Sequence, residues 1–315
     1  MLAVFLKTLP FFALIGLGYW AGRTRFFTEE ATAYLTRFVF YFALSAMLFR
    51  FSATLSVGEV FSWPFVLAYL WGTALVYLVA TAIGLLRGIT VAEIAVEAQV
   101  AVIGNVGFLG IPMLVLLLGD AAIGPVMMVL AVDLIVFGSL IVILITGSRD
   151  GRVSFGILKT VGMGLLKNPM IVSISLGLLW AATGLGIPAP AEEFLGILGA
   201  AATPGALFAI GASLATKQAD RVTLTGYLSA LKLFAHPAAV AFAALVIFPV
   251  EPYAAGVMIA AAALPVAGNV FILAQHYGVA PTRVSAAILI STAVSVVTVS
   301  LVIGWVESAV IIEGG

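Results

Sequence analysis

Two short segments hold nearly all the residues whose type and spacing could do chemistry. The first reads Gly104-Asn105-Val106-Gly107-Phe108-Leu109-Gly110-Ile111-Pro112, the second Pro265-Val266-Ala267-Gly268-Asn269-Val270. Each sets Gly, Asn and Pro in the middle of a long apolar run. Proline lacks the N–H that a helix needs and clashes with the carbonyl four residues earlier. Pro112 is therefore expected to open its helix near Phe108, and Pro265 to open its own about one turn before Asn269. Where a helix unwinds, the following half-helix starts with unpaired N–H groups and the positive end of its dipole. Such an end receives a carboxylate or phosphate. Asn105 and Asn269 add uncharged donors and acceptors beside it. The competing reading of Gly104, Gly107 and Gly110 is close helix packing through small residues, and of each Asn an interhelical hydrogen bond. Matched residues beside matched breaks favour a ligand site.

Other polar residues in apolar runs are few. Asp133 lies mid-run, where a carboxylate is costly unless paired, protonated or facing water. Lys232 and His236 are four apart and share a helix face. Lys232 either pairs with Asp133 or extends to the interface. Gln99, six residues before Asn105, is a candidate for lining an approach path. These three, Asp133, Lys232 and Gln99, are the candidates for coupling or charge tuning. Glu93 and Glu97 open their helix, where acidic groups suit the N-terminus. Gln275 and His276 close another run and read as interface residues. Of the five tryptophans, most fall near run ends, as an interfacial belt would place them.

The elements that position these residues follow from composition. The chain has 315 residues, 63% hydrophobic and 9% charged, with a mean hydropathy of +1.24. A soluble domain carries about 25% charged residues, so the class is an all-α polytopic membrane protein. The apolar runs do not alternate, which disfavours a β-barrel. Net charge is zero and there is no cysteine, so nucleic acid binding, disulfides, thiolate metal sites and a cysteine nucleophile are excluded. Neither a His-Glu-x-x-His helix nor a Gly-x-Ser-x-Gly elbow occurs, so no enzyme is expected.

Windows of about 20 apolar residues give ten spans, near 2–22, 34–51, 60–86, 93–118, 121–146, 168–187, 193–215, 223–248, 252–276 and 281–306. The first is retained rather than cleaved as a signal peptide, because Arg23 and Arg25 follow it and no small-x-small site does. Odd-numbered loops hold Arg23, Arg25, Arg87, Arg149, Arg152, Lys159, Lys167, Lys217, Arg221 and Arg283. The opposite set offers Lys7 and Arg50, and is otherwise acidic: Glu59, Asp120, Glu192, Glu193, Glu251, Glu307 and Glu313. The positive-inside rule places the odd loops in the cytoplasm and both termini outside, and the expected location is the cell inner membrane with both termini periplasmic. Residues 1–147 and 168–315 then form two inverted five-helix repeats joined by a cytoplasmic linker, 148–167. Broken spans four and nine are in matching places, and Leu17-Gly18, Ala46-Met47-Leu48-Phe49 and Gly104-Asn105-Val106 recur as Leu176-Gly177, Ala206-Leu207-Phe208 and Gly268-Asn269-Val270. Interrupted helices in matched halves point to a transporter binding site.

The segments Leu17-Gly18-Tyr19, Ala46-Met47-Leu48-Phe49, the Gly104-to-Pro112 run, Lys167-Asn168-Pro169, the Pro204-to-Leu214 run, Leu231-Lys232-Leu233 and Pro265-to-Asn269 together resemble the auxin efflux carrier family, whose bacterial relatives include malonate-type carriers and whose wider superfamily includes bile acid sodium symporters. The resemblance implies a scaffold of helices 1, 2, 6 and 7 and a moving transport domain of helices 3–5 and 8–10. It implies that Asn105, Pro112, Pro265 and Asn269 line a crossover of helices 4 and 9, with Gly104, Val106, Gly107, Gly268 and Val270 around them. Relatives often have proline where this chain has Ser45, while Pro204 is kept in the seventh span. The function expected is secondary transport of small carboxylates, malonate-like or auxin-like, by elevator movement. No cofactor is expected, sodium and a proton are the candidate coupling ions, and scaffold helices suit a homodimer. A sodium-coupled bile-acid-like symporter and a passive anion channel are the alternatives.

Overall fold

A computed structural model describes residues 2–55, 61–150, 155–215 and 222–311. The expected positions of Glu59, Arg152, Lys217, Arg221 and Glu313 lie outside these. The described residues form thirteen helices: α1 Leu2–Arg23, α2 Glu29–Ala53, α3 Trp63–Leu86, α4 Val91–Val102, α5 Val106–Leu118, α6 Asp120–Arg149, α7 Phe155–Lys167, α8 Pro169–Ala181, α9 Ala189–Leu214, α10 Thr223–Ile247, α11 Pro252–Ala262, α12 Gly268–Tyr277 and α13 Pro281–Ser308. Six of them, α2, α3, α6, α9, α10 and α13, are long and apolar enough to cross a bilayer, and the bent pair α7–α8 makes a seventh. The chain is a multi-pass helical membrane protein. Local chemistry fixes the starts. Thr28, Ser62 and Asn168 cap α2, α3 and α8, Thr90 and Glu93 form a capping box on α4, and Glu251 caps α11 through two amides.

The interrupted runs are interrupted. Between α4 and α5 the chain leaves helical geometry at Ile103–Asn105, and between α11 and α12 it does so around Pro265. The first break falls earlier than the expected opening near Phe108. Pro112 sits in the first α-helical turn after it, where no N–H is needed, and the turn before it, Val106–Gly110, widens to π geometry. Another difference lies in the linker, where Phe155–Lys167 is a helix that meets α8 at 72°. Ser45, where proline was noted in relatives, follows a π turn at Val39–Ala43, and its hydroxyl donates to the Phe40 carbonyl (3.2 Å).

Both first half-helices are enclosed. Every residue of 94–102 and of 255–267 is buried. This is the setting that non-helical backbone at membrane depth requires, since lipid offers no hydrogen bonds. The alanine-rich face of α11 lets the surrounding helices come close. On one side of the molecule Glu97, 2% exposed, is gripped by Arg87 and Arg283, each at 2.5 Å, and Arg283 also reaches Glu93 at 3.4 Å. Glu97 is thus a buried ion-pair centre joining α3, α4 and α13, not merely a helix-start residue. Arg149, at the end of α6, donates to the Tyr277 carbonyl at the end of α12. At the other ends of the broken pairs, the Tyr253 hydroxyl donates to the Leu118 carbonyl (2.7 Å).

Glycines set two tight seams. A Cβ on Gly211 of α9 would lie 1.9 Å from the Ile15 carbonyl oxygen of α1, and one on Gly18 would lie 2.1 Å from that of Phe208. Gly177 of α8 similarly abuts α2 at Ser52 and Phe49. Backbones in such contact gain dispersion energy that larger residues would forfeit. Gly211→Ala is expected to destabilise the protein by about 1–3 kcal/mol through overpacking, whereas Gly16→Ala, with nothing within 4 Å of the added carbon, should leave the melting temperature in detergent nearly unchanged.

Candidate functional site

The two breaks are bonded to each other. The Asn105 amide donates to the Pro265 carbonyl (2.8 Å), and the Ala267 amide donates to the Ile103 carbonyl (3.0 Å). Gly104 and Val266 face one another between these rungs as an isolated antiparallel bridge. Further groups of the crossing are also bonded. The Val266 amide donates to the Ser291 hydroxyl of α13 (3.1 Å), and the Asn105 carbonyl accepts from Leu109 and Gly110. The Ala262 carbonyl at the end of α11 accepts from the Lys232 ammonium (2.5 Å).

Among the described residues, other amides at the crossing are left over, four of them in the first turns of the second half-helices. No hydrogen bond engages the N–H groups of Gly107 and Phe108 in the first turn of α5, or of Gly268 and Asn269 in the first turn of α12. All four residues line one cavity of about 40 Å³, together with Phe40, Ile103, Gly104, Asn105, Leu130, Asp133, Leu134, Asn168, Met170 and Ala267. Two half-helix starts thus converge on one small space whose walls are largely apolar. The Asn269 Oδ1 and Asp133 Oδ2 are buried without partners there. Unpartnered donors and acceptors in one dry cavity are costly, and each marks a place where water or ligand belongs. A space of 40 Å³ holds a water or two, so this conformation is closed around the site.

Six of the expected site residues line this cavity: Gly104, Asn105, Gly107, Asp133, Gly268 and Asn269. Val106 and Val270 are buried behind it, Pro265 serves through its carbonyl, and Pro112 faces a separate space of about 390 Å³ with Arg50 and Asp120. Gln99 is 2% exposed with its Oε1 unpartnered, but it does not reach the cavity.

Asp133 and Lys232 do not form the direct pair that their positions allowed. Asp133 Oδ1 accepts from the Tyr69 hydroxyl of α3 (2.8 Å). The Lys232 ammonium instead meets the Ala262 carbonyl and His236 Nδ1 (3.2 Å), while His236 Nε2 contacts the Thr73 hydroxyl (3.0 Å). Lys232 is fully buried rather than extended to an interface. A Cβ on Gly104 would lie 3.3 Å from its Nζ, so the ammonium braces the crossing from behind.

Two contributions were not singled out from sequence. Asn168 caps α8 through its Oδ1 (3.0 Å to the Met170 amide) and also faces the cavity. Phe40 and Phe108 stack at 6.1 Å and close it. π turns at Val39–Ala43, Val106–Gly110 and Asp133–Phe137 supply cavity residues, and a fourth at Leu231–Ala235 carries Lys232. Such turns often re-aim side chains at functional sites, and the Lys167-Asn168-Pro169 motif was the available signal for Asn168.

A multi-pass helical protein with discontinuous helices paired at a small enclosed cavity has the build of a solute transporter. A family model described as "Membrane transport protein" matches residues 3–303, and the chain belongs to that family, the auxin efflux carrier family. It is 32% identical over 299 residues, 93% of this chain and 92% of the other, to a Rhizobium meliloti (strain 1021) protein bearing the name "Putative malonate transporter". It is a transporter and not an enzyme.

Glu97→Gln would leave two arginines without their shared carboxylate. It is expected to cost about 2–3 kcal/mol, less than for a fully buried pair because Arg87 is partly exposed, and thermal unfolding in detergent measures it.

Proposed function

We propose that this protein is a secondary carrier of small organic anions, with malonate-like dicarboxylates as the first class to test. The observation that carries this is the group of four unpartnered amides, from Gly107, Phe108, Gly268 and Asn269, converging with Asn105 and Asn269 on one cavity. Two positive dipole ends and several donors, with no basic side chain lining the cavity, suit a carboxylate held by hydrogen bonds. The name of the Rhizobium relative supports malonate within that class.

The architecture read here is ten spans in two inverted repeats, 1–147 and 168–315. The spans are α1, α2, α3, α4–α5, α6, α8, α9, α10, α11–α12 and α13, with α7 in the linker between the repeats. Contacts at the ends agree with this alternation. Arg87, Glu97 and Arg283 from the third and ninth loops meet on one side, and Arg50 and Glu192 from the second and sixth loops meet at 3.6 Å. The basic loops are taken as cytoplasmic and both termini as outside.

Helices α1, α2, α8 and α9 form the scaffold, and α3–α6 with α10–α13 the moving body. The glycine seams join α1 to α9 and α2 to α8, inside the scaffold. Gly72 against Val240 and Gly84 against Ile94 tighten α3 on α10 and on α4, inside the moving body. The cavity lies between the two groups, with Phe40, Asn168 and Met170 on the scaffold side. At Gly107 the scaffold contact is the flexible end of Met170, a surface that can slide. A bound anion would travel with the crossing while the scaffold stays fixed, as elevator-type alternating access requires.

Uptake of labelled malonate into proteoliposomes tests the reading. Loss of one hydrogen bond to a charged ligand is worth about 1.5–3 kcal/mol, so Asn105→Ala and Asn269→Ala should each weaken apparent affinity roughly 10–100-fold. Saturable uptake that both substitutions leave at the parent value would sink the site assignment, and unitary currents in place of slow saturable flux would favour a channel.

A further inference from the structure

Asp133 is the one acidic side chain lining the cavity, and its place there conflicts with the ligand that the amides invite. It is 3% exposed, its Oδ1 is engaged by Tyr69, and its Oδ2 has no partner. An ionised carboxylate offers only acceptors, so toward a bound carboxylate Oδ2 would present lone pairs to lone pairs. A protonated Oδ2–H offers the donor that an anion needs.

The titratable and charged groups near Asp133 narrow the account further. From α3 comes the Tyr69 hydroxyl, already donating to Oδ1, with Tyr77 two turns along beside Phe137. From α10 come Lys232 and His236, held on Ala262 and Thr73 behind Gly104. From α4, Glu97 is tied to its two arginines at the helix start. The elements α5, α8 and α12 contribute to the cavity only uncharged residues. When Asp133 is ionised, the Lys232 ammonium across the crossing offsets its charge. An arriving carboxylate adds one negative charge to a dry interior, which is costly. One proton on Asp133 removes it again.

Resting on the carrier reading above, we propose that Asp133 is the proton-coupling residue, taking one proton with each carboxylate bound and releasing it with that substrate on the opposite side. The proton moves from water to Oδ2 on loading and from Oδ2 to water on unloading, with no other bond made or broken. For a dianion, the second negative charge rests on the amide ends of α5 and α12.

The test uses proteoliposomes with the membrane potential clamped at zero and labelled malonate outside, with protein-free vesicles as the background. The parent should accumulate malonate about tenfold for each pH unit of inward proton gradient, the equivalent of about 1.4 kcal/mol. Asp133→Asn keeps an acceptor for Tyr69 and a permanent donor toward the ligand. It should lose this accumulation while still exchanging malonate at equal pH, at a reduced rate. In weakly buffered detergent solution, malonate binding to the parent should take up about one proton, and to Asp133→Asn none. Should that variant fail to fold, the parent's proton uptake still decides. Parent uptake that ignores the pH gradient, or follows a sodium gradient instead, overturns the proposal and leaves the carrier reading standing. No uptake under any gradient overturns the carrier reading itself, and this proposal with it.

Discussion

Two backbone hydrogen bonds, Asn105 to Pro265 and Ala267 to Ile103, are the constraint on which the rest of the molecule turns. A helix opened at membrane depth exposes carbonyl and amide groups that hydrocarbon cannot satisfy. Each opening here uses the other as its partner, as if two rungs of a sheet had been placed inside a helical protein. The pairing fixes the distance and angle at which α5 and α12 begin. It thereby sets their first-turn amides around one point. Burial of 94–102 and 255–267, the Lys232 brace and the Ser291 hydroxyl all serve to hold that pairing dry and complete.

Much of this was legible in the residues. Composition gave the class, because a chain with so few charges has no other way to cover its surface than with lipid. Gly, Asn and Pro in mid-run marked two helices as interrupted, and both Asn residues line the cavity beside the crossing. The break before Asn105 was placed too late because proline was read as the cause. Instead the chain opens where the partner strand pairs with it, and Pro112 takes a position that tolerates it. Local propensity cannot report a long-range pairing.

The charged residues were harder to read for a related reason. Asp133 and Lys232 have opposite signs and both lie mid-span, so a direct pair was attractive. The structure gives the ammonium a carbonyl and an imidazole instead, since the end of α11 presents an orphan acceptor that sequence does not reveal. Glu97 looked like a helix-start residue because its two arginines are 10 and 186 positions away. The π turns that aim Phe40, Asp133 and Lys232 have no residue signature, as the extra residue per turn is imposed by packing.

The crossing also bears on biogenesis. Its rungs join segments about 160 residues apart, and Glu97 receives Arg283 only from the last helix. A nascent chain that has inserted only its first half therefore carries an open helix within the bilayer and a Glu97 carboxylate that still lacks one of its two arginines. Neither half is a finished object on its own. The early segments must be sheltered by insertion machinery, or by a second half arriving quickly, until the later one closes them.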